Sequence, residues 1–184
     1  MANATHTRDP KVWREDGNYY MALGSTFEEK AGRVLFYRSP DGENWEYAAQ
    51  CRHEKLGRIV ECPDVFRVGE TDVFMASLMY IGEPGKGYEN MSVCAPAEFD
   101  RQSCELTLPE KFQYVDYGMD MYAPQTNLDR EGRRVMVAWM RMPRTVEDGG
   151  TPWNGMMCLP RVVETEKGHI FFRVHPEVDR YFSE

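Results

Sequence analysis

The sequence predicts an all-β chain assembled from the blade-like units of a β-propeller, and three observations carry that reading. Apolar residues cluster in short β-rich runs broken by turns. No stretch sustains the 3.6-residue period of an amphipathic helix. One short motif returns along the chain, its prolines 53 and 61 residues apart. A repeat of this size, filled with about four short strands, is the signature of a propeller blade.

Taken in order, residues 18–23 form a strand candidate that leads through a turn to a second one at 33–38. Ser39-Pro40-Asp41-Gly42 then closes a hairpin, because proline presets φ and an Asp-Gly pair tolerates tight turns. Residues 71–78 and 134–139 are further strand candidates, the latter preceded by the turn Asp129-Arg130-Glu131-Gly132. The glycine-rich stretch 82–87 reads as a hairpin loop.

The repeat aligns Arg8-Asp9-Pro10-Lys11-Val12-Trp13 with Glu61-Cys62-Pro63-Asp64-Val65-Phe66, and less closely with Tyr122-Ala123-Pro124-Gln125-Thr126-Asn127. Each copy opens a unit, with proline at the start of a strand, where a missing N–H is tolerated. The first strand of a blade lines the central channel, so the residues just before these prolines should converge on one axial pocket. Three units do not close a ring, since propellers use about four to eight.

Composition narrows the partners. Thirty acidic and twenty-two basic residues give a net charge of −8. That excludes nucleic acid and an anionic membrane as expected partners, because both demand a basic surface. Cys51, Cys62, Cys94, Cys104 and Cys158 contain no CxxC pair, and the chain is too long to need a disulfide framework, so reduced thiols and a cytoplasmic location are expected. The N-x-[ST] triplets at Asn3 and Asn90 are short enough to arise by chance. Met1-Ala2-Asn3-Ala4 has no signal-peptide character, and no apolar run reaches membrane-spanning length.

The convergence of Arg8 and Asp9 with Glu61 and Cys62, joined by Asp116, Asp120 and Tyr122 from the third unit, suggests glycoside hydrolysis. That reaction needs one carboxyl able to donate a proton and others that bear charge beside an oxocarbenium-like centre. Glu61 lies between Val60 and Cys62, an apolar setting that suits the acid, whereas Asp9 beside Arg8 should be held ionised. Alone, an Asp-Pro pair only starts a turn or strand. Alone, Cys62 reads as a small buried apolar residue. Asp116 and Asp120, which flank Gly118, read equally as solvated loop acids. The repeat, by placing the acids at the openings of successive units, makes them neighbours. Trp153, in a glycine-rich loop, is open to two readings, a sugar-stacking platform or a plug. His6, His53, His169 and His175 lack metal-ligand spacing, so no metal and no cofactor is expected. Neither a serine-hydrolase elbow nor a phosphate loop occurs.

At these residues the chain resembles glycoside hydrolase family 32, the invertases, sucrose-6-phosphate hydrolases, levanases and inulinases. Arg8-Asp9-Pro10 resembles the family's RDP motif, and Glu61-Cys62-Pro63-Asp64 its ECPD motif. Residues 116–126 resemble its DYGxDxYAPQT segment, while residues 151–155 and 159–161 resemble the end of its propeller. The resemblance implies a retaining double displacement on a fructose-containing saccharide, with Glu61 as acid/base and Asp9 as transition-state stabiliser. Arg8, Cys62, Asp116, Asp120, Tyr122, Gln125 and Trp153 would bind substrate. It also implies a five-bladed propeller followed by a β-sandwich. The family's nucleophile lies in an NDPNG-type motif, and no such sequence occurs here. Residues 1–176 are therefore expected to form about the last three blades, with 177–184 opening a linker to a further domain. Activity would await a complementing N-terminal segment, and the open blade faces favour self-association. Two other readings stand beside this one: a fructoside-binding propeller remnant without catalysis, and a hydrolase of arabinose or xylose polymers, which Glu61-Cys62-Pro63-Asp64 disfavours.

Overall fold

The computed structural model describes residues 6–81 and 89–183. The glycine-rich loop expected at 82–87 and the Asn3 triplet lie outside the described residues. Three antiparallel sheets follow one another along the chain. The first is β1 (Arg8–Glu15), β2 (Asn18–Phe27), β3 (Ala31–Ser39) and β4 (Glu46–Arg52), paired in sequence order. The second is β5 (Ile59–Val68), β6 (Thr71–Met79), β7 (Asn90–Phe99) and β8 (Leu106–Thr107), with β9 (Gln113–Tyr114) also on β7. The third is β10 (Met121–Leu128), β11 (Arg134–Met140), β13 (Arg161–Glu166) and β14 (His169–Val174), with β12 (Met156–Met157) on β11. Each is an up-and-down meander opened by one copy of the repeat.

Local chemistry explains the turns. Asp16 and Gly17 both take positive φ between β1 and β2, which matches the twist of a tight hairpin. Between β3 and β4, Ser39 Oγ accepts from the Asp41 and Gly42 amides, and Asp41 Oδ1 accepts from Glu43 and Asn44. Those donors hold the Asp41 carboxyl well below the usual carboxylate range. The turn expected at 39–42 is thus a network of side-chain caps.

Two cores lie between successive sheets. Tyr20, Phe36, Val60, Phe74 and Leu78 fill the first; Val73, Met75, Met136, Ala138 and Val163 fill the second. The middle sheet is covered on both faces, so β6 is buried at nearly every position rather than at alternate ones. Residues 177–184 are expected to open a linker; 177–183 lie in a helix, α1 (Pro176–Ser183), with no buried side chain. His175 starts it: its carbonyl accepts from Val178 and Asp179, and its Nδ1 from the Glu177 amide. All five cysteines are free thiols. Among the described residues no helix is long and apolar enough to cross a membrane.

Candidate active site

The three repeat copies share one backbone device. Register with the neighbouring strand shifts between Arg8 and Lys11 in β1, between Glu61 and Asp64 in β5, and between Tyr122 and Gln125 in β10. At each shift the residue before the proline is left-handed: Asp9 at φ 61°, Cys62 at 47° and Ala123 at 52°. Such a φ costs a residue with a Cβ about 1–2 kcal/mol. A bulge with proline, which needs no ladder partner, ends the strict alternation of side chains and re-aims the strand opening.

As a result the equivalent residues Arg8, Glu61 and Tyr122 meet. Arg8 Nε and Nη2 donate to Glu61 Oε1 at 3.0 and 2.9 Å. Tyr122 Oη donates to Glu61 Oε2 at 2.6 Å. The Glu61 side chain remains 20% exposed, so the group faces a pocket rather than a sealed core. Asp9, read beside Arg8 as its counter-ion, is not partnered by it. Sequence neighbours on a strand diverge, and Arg8 turns to the next unit. Asp9 Oδ2 instead accepts from the Cys62 amide at 3.0 Å, with Cys62 Sγ at 3.6 Å. Gln125 Nε2 donates to the Cys62 carbonyl at 3.0 Å. The network therefore ties together Asp9, Cys62 and Gln125 as well.

Burial and neighbours set the protons. Tyr122 keeps its phenolic hydrogen to well above its ordinary range, first because it is buried and second because it donates to Glu61. Burial, with the Asp9 carboxylate adding to it, pushes the Cys62 thiol up to about 12. Cys62 is consequently a protonated thiol at neutral pH and no nucleophile.

A second layer lies three to four residues further along the same strands. Lys11 Nζ sits 3.2 Å from Asp64 Oδ2 and donates to the Thr126 carbonyl. Asp64 Oδ2 accepts from Thr126 N and Oγ1, both at 2.8 Å. Asp64 is wholly buried, and burial raises its pKa against the pull of Lys11. One residue from each unit thus pins the three inner strands together just past the bulges. Arg141 holds the pocket from the side: its guanidinium lies 4.6 Å from the Tyr122 ring centroid and donates to the Asn90 and Met119 carbonyls. Sequence reasoning missed Lys11, Asp64, Thr126 and Arg141 as site residues. The first two occupy the position after the repeat's proline, a signal that was present; Arg141 has none.

The remaining sequence candidates stand apart from this group. Asp116 Oδ1 caps the Gly118 amide, and Oδ2 pairs with Arg161 Nη1 at 3.0 Å. Asp120 is exposed, and its carbonyl accepts from the Arg141 amide. Trp153 is bridged to Val146 and partly exposed. Among the described residues no hydrogen bond or ion pair joins these three side chains to Glu61. No group of three or more His, Cys, Asp or Glu is placed to hold a metal ion among the described residues.

Known proteins resemble the chain in sequence and in fold. Residues 1–176 match the sequence profile described as the glycosyl hydrolases family 32 N-terminal domain. The chain is 34% identical over 170 residues to a sucrose-6-phosphate hydrolase of Staphylococcus xylosus, covering 90% of this chain and 34% of that one. It is 34% identical over 178 residues to a raffinose invertase of Escherichia coli, covering 95% of this chain and 37% of that one. Among solved structures, the Bombyx mori GH32 beta-fructofuranosidase BmSUC1 superposes with a TM-score of 0.84 at 30% identity, over 97% of this chain and 39% of that one. A mutant of the same enzyme in complex with sucrose superposes at 0.83 and 29% identity. This chain spans about a third of the length of the curated relatives it matches.

Proposed function

The chain belongs to glycosyl hydrolase family 32, its three sheets are blades of the β-propeller its structural relatives share, and we propose that it carries the acid/base part of a fructose-releasing hydrolase. The observation that carries this reading is Glu61, gripped on one oxygen by Arg8 and on the other by Tyr122. In a retaining double displacement Glu61 would protonate the leaving oxygen as the glycosyl–carboxylate bond forms, then take a proton from the water that breaks that bond. Arg8 and Tyr122 stabilise its carboxylate between these steps, and Tyr122 does so without giving up its own proton. Asp9, fixed by the Cys62 amide, would accept hydrogen bonds from fructose hydroxyls and offset positive charge on the ring. The attacking carboxylate is one these 184 residues do not contribute. The substrate class is a fructose-containing saccharide such as sucrose, its phosphate or a fructan. Assays of the purified chain on sucrose and inulin test the reading: no appreciable turnover is expected, while rates of roughly 1–1000 per second would show that another carboxylate serves as nucleophile.

A further inference from the structure

Glu61 lies at the start of β5, and the strand rises about 3.3 Å per residue, so Arg67 is roughly 20 Å further down it. There, between the three sheets, opens a second cavity of about 600 Å³, lined by Lys11, Trp13, Arg14, Arg67, Arg101 and Arg134 among others. Five of those six are cations, in a chain whose net charge is −8. Most are neutralised: Arg67 and Arg101 share Asp72, Arg101 also meets Glu15, and Lys11 meets Asp64.

Two are not. Arg14 lies over the Tyr19 ring, 5.3 Å from its centroid. Arg134 lies over the Phe66 ring at 5.2 Å, and its Nε is buried with no hydrogen-bond partner among the described residues. Burial lowers its pKa, with the charge of Asp64 opposing. A guanidinium withdrawn from water with no counter-ion is costly, and a planar fork of donors suits an oxyanion.

We propose that this cavity binds a small, doubly charged oxyanion, a phosphate or the phosphate of a phosphorylated sugar, with Arg134 as its main donor and the exposed Arg14 at its rim. The cavity lies beyond the Lys11–Asp64 layer from Glu61, shares only that wall with its pocket, and does not rest on the hydrolase reading. The volume leaves room for a sugar behind the phosphate, which separates the two sources.

The test is titration of the full chain, in low-salt buffer, with inorganic phosphate and in parallel with glucose 6-phosphate. Heat is followed by calorimetry and the Trp13 indole N–H signal by NMR. Saturable binding that shifts Trp13 but not Trp45, which sits on the turn before β4, is expected. Arg134→Met, which keeps the packing on Phe66, should weaken binding at least tenfold, while Arg58→Met at the opposite end should not change it. Tighter binding of the sugar phosphate identifies a phosphorylated sugar as occupant; equal binding identifies the free anion. An unmoved Trp13 signal, or undiminished binding by Arg134→Met, overturns the proposal. Should Arg134→Met fail to fold, the wild-type Trp13 signal still decides it.

Discussion

Tyr122 in the third sheet donates to Glu61 in the second at 2.6 Å, on the carboxylate oxygen that Arg8 of the first sheet leaves free. Three successive units thus each supply one side chain to this cluster, the second giving the carboxyl group and the first and third its donors.

If Glu61 is the acid, its replacement should hurt poor leaving groups most. In an assembly made active by a separately supplied N-terminal segment, Glu61→Gln keeps the shape but has no proton to donate. Turnover of sucrose should fall by about two to four orders of magnitude, and that of an activated fructoside far less. Equal losses for both would assign Glu61 another role.

Lys11 should matter to stability more than its place on the wall suggests. Lys11→Met strands the Asp64 charge in a fully buried position, which should cost about 3–5 kcal/mol in urea unfolding. Adding Asp64→Asn should recover part of that loss. The amide oxygen still accepts from Thr126, and no buried charge remains. A double variant less stable than Lys11→Met would contradict this account of the pin.

Gly24 is required by contact rather than by φ. A Cβ there would lie 2.3 Å from the Val60 carbonyl oxygen and 3.2 Å from Glu61 Cα. Gly24→Ala should therefore destabilise the chain by about 1–3 kcal/mol and displace Glu61 from Tyr122. A crystal structure of the variant with the 2.6 Å bond intact would refute the second half.

Alkaline pH should unfold the chain by way of its thiols. Burial raises Cys51 to about 11, and Cys94 to about 12, as it does Cys62. The unfolded chain loses these protons near 9 and the folded chain later, so stability is whole below pH 9 and declines as pH rises towards 12. Thermal melts from pH 8 to 11 should show a falling Tm, with a shallower fall in Cys94→Ala. Equal slopes would place the alkaline loss elsewhere.

Association is expected in solution. The third sheet leaves Trp139 and Met157 41% and 62% exposed, and α1 presents Tyr181 and Phe182 to water. Apolar patches beyond a few hundred Å² drive association. Light scattering should show a species heavier than the 21.4 kDa monomer; a sharp-melting monodisperse monomer would mean that three units suffice alone.

Much of the fold was legible along the chain. The runs at 18–23, 33–38, 71–78 and 134–139 fall within β2, β3, β6 and β11. The two-residue strands β8, β9 and β12 carry no period to read. Helix α1 is too short for a sustained period and buries nothing that would mark a face.

By itself the sequence determined the three-unit repeat and which residues open each unit, because proline spacing and motif identity are properties of order alone. It therefore brought Arg8, Asp9, Glu61, Cys62 and Tyr122 to one end of one axis. Only the tertiary structure decided who pairs with whom. Adjacency along the chain suggested Arg8 with Asp9, but the left-handed Asp9 and its bulge send the two side chains to different partners. Only packing decided that Asp64, one position past the second repeat copy's proline, is buried against Lys11 and Thr126. Likewise it stacked Arg141 on Tyr122, nineteen residues away in β10's neighbourhood. Contacts between sheets depend on where separate strands come to rest, and no local pattern encodes that distance.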